Sequence, residues 1–214
     1  MMTLDVRAQE LLASINKTLG PGTAFVGSKA ATYGRIPSGS LGLDVVLGGG
    51  WPLNQWCEIL GEESVGKTAL TYATIAANQK VNKDFMALFI AAEPFSRDWA
   101  QQCGVDTDRL IVAETSIMEE AYEVVIEAAT KRSVDCVVVD SLGMLVPSEE
   151  DAKAMDENSS LGIGARLNAK FFRKIVKATK RSQTDADRPF LGLMINQWYS
   201  KVGVIYGSPK ESTG

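Results

Sequence analysis

Ile59-Leu60-Gly61-Glu62-Glu63-Ser64-Val65-Gly66-Lys67-Thr68 fits the pattern G-x-x-x-x-G-K-[ST]. It stands between a short apolar run, residues 56–60, and a helical pattern over residues 67–78. Glycines permit backbone dihedrals closed to other residues, so successive N–H groups of such a loop can turn inward around a phosphate. The N-terminus of the following helix adds its partial positive charge. In that setting Lys67 meets β- and γ-phosphates and the Thr68 hydroxyl ligates magnesium. The candidate nucleotide-binding residues are therefore Gly61, Glu62, Glu63, Ser64, Val65, Gly66, Lys67, Thr68 and Ala69. The bland alternative is a glycine-rich turn with no ligand.

Outward from this loop, short apolar runs alternate with helical patterns. Residues 87–91 precede a helix near 96–103, and 110–112 precede one over 118–131. A run at 136–139 precedes a long helix over about 163–181, and the last run is 191–195. Strand and helix in alternation predict an α/β fold with a mostly parallel sheet covered by helices on both faces. Cys136-Val137-Val138-Val139 and Leu191-Gly192-Leu193-Met194-Ile195 are apolar without alternation, as strands buried on both faces should be.

Two acids stand where strands of such a sheet end. Asp140 closes Cys136-Val137-Val138-Val139-Asp140 and would hold magnesium through its water shell, at the edge of the sheet where nucleotide ligands lie. An Asp in that place also serves as a turn residue or helix cap. Glu93 follows Leu88-Phe89-Ile90-Ala91-Ala92 and reaches the same edge, where a carboxylate can orient and deprotonate a water attacking the γ-phosphate. The alternative for Glu93 is a solvated loop carboxylate before Pro94.

The 214 residues, 45% of them hydrophobic, suffice for one sizeable core. With a net charge of −4, any nucleic-acid contact has to come from a local basic patch. Cys57, Cys103 and Cys136 are odd in number and embedded in apolar sequence, which predicts buried free thiols in a reducing compartment. No charged-then-apolar leader opens the sequence, and no apolar run approaches the roughly 18 residues of a membrane span. A cytoplasmic protein without a membrane partner is expected. Leu4, Ala8, Leu11, Leu12, Ile15 and Leu19 recur at helical spacing and stop at Gly20-Pro21-Gly22. This amphipathic helix either caps its own core or lies on a neighbouring subunit.

Together these segments resemble the bacterial RecA recombinase family. The resemblance rests on the lead-in Ile36-Pro37-Ser38-Gly39-Ser40-Leu41-Gly42-Leu43-Asp44, the phosphate loop, Ala92-Glu93, Gly104-Val105-Asp106, Asp140-Ser141, and Ile195-Asn196-Gln197 with Lys201-Val202-Gly203-Val204. It implies a P-loop NTPase with a RecA-like core over residues 36–214, preceded by a helical docking arm over residues 1–35. It also implies an ATP- and Mg2+-dependent recombinase that forms filaments on single-stranded DNA, pairs it with duplex DNA and exchanges strands in recombination and repair. Subunits would be linked by the N-terminal arm. Lys67, Glu93 and Gln197 would be the catalytic set, with Gln197 sensing the γ-phosphate and Trp99 stacked on adenine. Arg166 and Arg173 match DNA-facing positions, Lys170, Lys174, Lys177 and Arg181 extend the stripe, and Lys201, Val202 and Gly203 belong to a second DNA loop.

Departures from the family pattern are specific. Glu62 and Val65 replace a Pro and a Ser inside the phosphate loop, and Ala169 and Tyr199 stand where a hydroxyl and an Arg face DNA. The segment between Glu93 and Gly104 is one residue shorter. Residue 214 falls inside the second DNA loop, so the family's last core strands, expected beside the strand ending Ile59-Leu60, are not in this sequence. Two further functions are carried forward: a non-hydrolysing protomer that docks on a complete filament, and a RecA-fold motor of another kind.

Overall fold

The computed structural model describes residues 5–29, 34–152, 162–182, 190–200 and 210–212. The chain divides into two compact units, Met1–Tyr33 and Gly34–Gly214. The first holds α1 (Val6–Leu19), whose N-cap Asp5 accepts a hydrogen bond from the Arg7 N–H. The helix ends at Gly20, as the breaker predicts, and Asn16 then fastens the following turn through two bonds of 2.9 Å to the backbone of Ala24. None of its residues is buried, and Val6, Leu11 and Leu19 are exposed.

In the second unit a short antiparallel pair, β1 (Arg35–Ile36) and β2 (Trp51–Pro52), flanks α2 (Leu41–Val46). Next come β3 (Gln55–Gly61), α3 (Lys67–Val81), β4 (Ala87–Ala91), α4 (Arg97–Gln102) and β5 (Leu110–Glu114). The chain continues through α5 (Met118–Lys131), β6 (Cys136–Asp140), the short α6 (Ser148–Asp151), α7 (Ile163–Ser182), β7 (Leu191–Ser200) and β8 (Lys210–Ser212). The sheet runs in the order β3-β7-β6-β4-β5 with every pair parallel, while β8 lies antiparallel to β7. All five parallel strands therefore end at one edge, and the residues that follow them meet there.

Each face of the sheet carries its own apolar cluster. One joins Ile90, Val137, Val139 and Met194 to Val125 of α5 and to Phe171 and Ile175 of α7. The other joins Phe89, Val138, Leu191 and Leu193 to Tyr72 and Ile75 of α3. The two continuous apolar runs are accordingly buried throughout: Cys136 to Val139 and Leu191 to Ile195 are all inaccessible or nearly so, Gly192 included. Gly192 is required by Trp56, whose ring lies where a Cβ would be, 2.1 Å from the nearest ring atom. The Trp56 Nε1 donates to Thr179 Oγ1 at 2.8 Å, locking the ring across the strand.

Three differences from the sequence reading have physical causes. The α3 helix runs to Val81 rather than residue 78 because Asn78 and Gln79, polar and buried, are paid in hydrogen bonds to Pro37 O and Asp106 O. β7 continues to Ser200 because the buried Asn196 finds Glu58 of β3 at 2.8 Å. The cysteines are not uniformly buried: Cys136 is, but Cys57 and Cys103 are half-buried. Cys57 lies on β3, which sits at the end of the strand order, and Cys103 caps the short α4. Among the described residues, no helix is long and apolar enough to cross a membrane.

Candidate nucleotide-binding site

The loop between β3 and α3 is shaped for an anion. Ser64 and Gly66 both have left-handed backbones, with φ of +59° and +93°. This conformation is open to Gly66 without strain and turns consecutive N–H groups to one side. Gly66 then caps a helix of 15 residues, whose unsatisfied N–H groups face the loop. The Lys67 Nζ donates to the carbonyls of Gly61 at 3.1 Å and Glu62 at 2.6 Å, so the ammonium already lies across the loop.

Beside it, a cleft of about 300 Å³ is lined by Glu63, Ser64, Gly66, Lys67, Thr68 and Ala69 of the loop and helix. Its other walls are Glu93, Trp99, Asp140, Ile195 and Gln197. Of the candidate residues, Gly61 ends β3 and Glu62 offers its carbonyl to Lys67, while the Val65 side chain is 62% exposed. These three do not line the cleft.

The Thr68 Oγ1 donates to Asp140 Oδ2 at 2.7 Å, which places a hydroxyl and a carboxylate together on the cleft wall. Burial pushes the Asp140 carboxyl above the usual range and the Glu93 charge adds to that, while the Thr68 bond and the Lys67 charge pull it down. Two hard oxygens of this kind, next to space for phosphate oxygens, suit Mg2+, which is ordinarily held by one or two carboxylates plus substrate phosphates. Glu93 lines the same cleft as Asp140 and accepts a long bond, 3.5 Å, from Ser141 Oγ. Beneath, Tyr72 is buried against Phe89 and Phe95, its phenol pushed up to about 12 by burial first and then by the Asp140 charge.

Gln197 and Ile195 reach the cleft from β7 because side chains alternate along a strand. Between them Asn196 is tied on both sides. Its Nδ2 donates to Glu58, and its Oδ1 accepts the Gln197 N–H at 2.9 Å. The Glu58–Asn196 pair and Tyr72 were not singled out from sequence. The pair is signalled only by the register that sets Leu60 beside Asn196 and Glu58 beside Met194. Trp99, 47% exposed, stands at the rim. A second cleft of similar volume, at the opposite edge of the sheet, is lined by Ile36, Leu53, Val81 and Phe85 among others and holds none of the candidate residues.

The candidate DNA-facing residues lie elsewhere. Arg166, Lys170 and Arg173 are exposed along α7, with Lys174 and Lys177, while Phe171 and Ile175 of the same helix are buried. Lys201, Val202 and Gly203 lie outside the described residues.

A parallel sheet with a phosphate loop closing one strand and an acid closing another defines a P-loop NTPase with a RecA-like core. The family model for the RecA N-terminal domain matches residues 7–214. Curated relatives are similar over almost the whole chain. Protein RecA of Petrotoga mobilis is 36% identical over 218 residues, covering 98% of this chain and 57% of the relative. Protein RecA of Zymomonas mobilis is 40% identical over 207 residues, 95% of this chain and 56% of the relative. Protein RecA of Porphyromonas gingivalis is 37% identical over 204 residues, 94% and 57%. The chain belongs to the RecA family. It spans little more than half the length of these relatives.

Proposed function

We propose that this chain carries the ATP-hydrolysing core of a DNA recombinase, which assembles on single-stranded DNA and exchanges strands with a homologous duplex. The observation that carries the reading is the cleft itself, where the phosphate loop, the Thr68–Asp140 pair, Glu93 and Gln197 converge from β3, α3, β4, β6 and β7.

In this reading the loop N–H groups hold the phosphates of ATP and Lys67 leaves its loop carbonyls for the β- and γ-oxygens. Thr68 and Asp140 hold Mg2+, which supplies charge neutralisation at the transferring phosphoryl group. Glu93 orients and deprotonates the attacking water, Gln197 reads the γ-phosphate, and Trp99 stacks on the adenine ring at the rim. Exposed Arg166, Lys170 and Arg173 contact DNA phosphates, joined by Lys201, Val202 and Gly203. The helix α1, amphipathic and without a buried residue, docks on a neighbouring protomer as residues 1–35 of an arm, and residues 36–214 form the ATPase core.

The test is ATP hydrolysis with and without single-stranded DNA. Turnover that rises several-fold with DNA is expected; turnover indifferent to DNA would remove the recombinase reading and leave a nucleotide hydrolase.

The raised carboxyl of Asp140 sets a pH dependence. The cation needs the ionised form, and a group whose affinity for protons is raised takes one up earlier on acidification. The apparent Mg2+ affinity in the presence of ATP should therefore fall on acidification, starting above the pH at which an ordinary Asp would be protonated, near 4. A titration repeated with Asp140→Asn should be weak and shallower across the same range, since only the terminal phosphate of ATP, with a pKa of about 6, is left to take up a proton. A steep fall retained in that variant would assign the titration to another group.

A further inference from the structure

The last residues of β7 keep one neighbour and lose the other. β6 runs beside the strand as far as Val139 and Met194, whereas β3 stays paired to Gln197. In the stretch that β6 has left, the Gln197 N–H donates to the side-chain Oδ1 of Asn196 at 2.9 Å. The Asn196 Nδ2 donates in turn to Glu58 Oε1 at 2.8 Å. Alternation puts Glu58, Met194 and Asn196 on one face of the sheet, and Ile195 and Gln197 on the other, in the wall of the nucleotide cleft. A chain of two hydrogen bonds thus runs from the back of the sheet to the residue that enters the cleft.

Asn196 is 1% exposed, and Met194, two residues back on the same face, belongs to the apolar core. A buried amide costs stability unless its polar atoms are bonded, so packing alone would favour an apolar residue here. An amide has one end that donates and one that accepts. The Glu58 carboxylate can only accept; it takes the donor end and so turns the acceptor end toward the Gln197 N–H. Without that carboxylate the amide could present either end, and its donor end would meet another donor.

We propose that Glu58 is a positioning residue: through Asn196 it fixes the backbone at Gln197 and so keeps the Gln197 side chain set in the cleft for a γ-phosphate. The proposal rests on the reading of Gln197 given above and adds the two groups that orient it. Neither Glu58 nor Asn196 lines the cleft, so their effect has to reach the nucleotide through Gln197.

The test compares, by calorimetric titration with Mg2+ present, the affinity of the β,γ-imido analogue of ATP with that of ADP. The diphosphate has no γ-phosphate for Gln197 to meet, so its affinity reports the rest of the site. Gln197→Ala should bind the analogue about tenfold more weakly than wild type, the loss of one hydrogen bond to a charged group, and ADP as before. Glu58→Ala should weaken the analogue about three- to tenfold, again with ADP unchanged. Glu58→Gln, whose carbonyl still accepts from Asn196, should bind both as wild type does. Asn196→Leu should match Glu58→Ala, and the double variant should be no weaker than Asn196→Leu alone, because Glu58 acts only through Asn196.

Glu58→Ala with wild-type affinity for the analogue would overturn the proposal. Equal losses for analogue and ADP would do the same, since a merely structural role beneath the phosphate loop gives that result. Losses that add in the double variant would reject the link through Asn196. Should Asn196→Leu fail to fold, Glu58→Ala against Glu58→Gln, at an exposed position, still decides. Gln197→Ala with wild-type affinity for the analogue would remove the γ-phosphate reading of Gln197, and this proposal with it. A loss in Gln197→Ala that Glu58→Ala does not share would leave that reading intact and reject Glu58 alone.

Discussion

Lys67→Ala should weaken ATP binding by two or more orders of magnitude. A charge-assisted hydrogen bond contributes about 1.5–3 kcal/mol, and a lysine reaching two phosphates loses two of them on truncation. The loss of about 3–6 kcal/mol corresponds to roughly 150- to 20,000-fold in dissociation constant. The same ammonium bonds the carbonyls of Gly61 and Glu62, so the variant also leaves the loop without that internal brace. Calorimetric titration with ATP measures the first effect, and circular dichroism checks that the fold survives. Nucleotide affinity within a few-fold of wild type would mean that the loop does not hold the phosphates.

Glu93→Gln should do the opposite kind of damage. The amide keeps the shape of the side chain and can still accept the long bond from Ser141, but it cannot take a proton from water. Hydrolysis should fall by about 10²- to 10⁴-fold, the usual contribution of a positioned general base, while ATP affinity stays near wild type. The variant also relieves repulsion at Asp140, whose carboxyl the Glu93 charge pushes up. Magnesium binding should therefore hold or improve. Turnover near wild type would place the base elsewhere in the cleft.

Much of the fold was legible in the sequence because its strands are buried on both faces. Continuous runs such as Cys136 to Val139 leave no other assignment once helices separate them, and α5 begins and ends where periodicity placed it. The phosphate loop was equally plain, since glycine, lysine and threonine are each demanded by chemistry at fixed spacing. Elements held by polar side chains were not legible. The last turn of α3 depends on what Asn78 and Gln79 meet across the chain, and the last half of β7 on a partner for Asn196. Those partners, Pro37, Asp106 and Glu58, are distant in sequence, and no local pattern announces them. The helix α2 is held by a Ser40 cap and by Asp44, which accepts from the Ser38 N–H at 2.8 Å, and leaves Leu41, Val45 and Val46 exposed. It has no buried stripe for a periodicity argument to find.

The two ladders of β7 stop at different places. Pairing with β6 ends at Val139 and Met194, whereas pairing with β3 runs on to Gly61 and Gln197. Past Met194 this strand is therefore yoked to the root of the phosphate loop and released from the strand of Asp140. A backbone ladder joins Gly61 directly to Gln197, with no side chain needed to link them. Beyond Met194 the strand leaves β6 and stays with β3, setting Gln197 in the nucleotide cleft and the exposed Trp198 where β8 takes up the pairing.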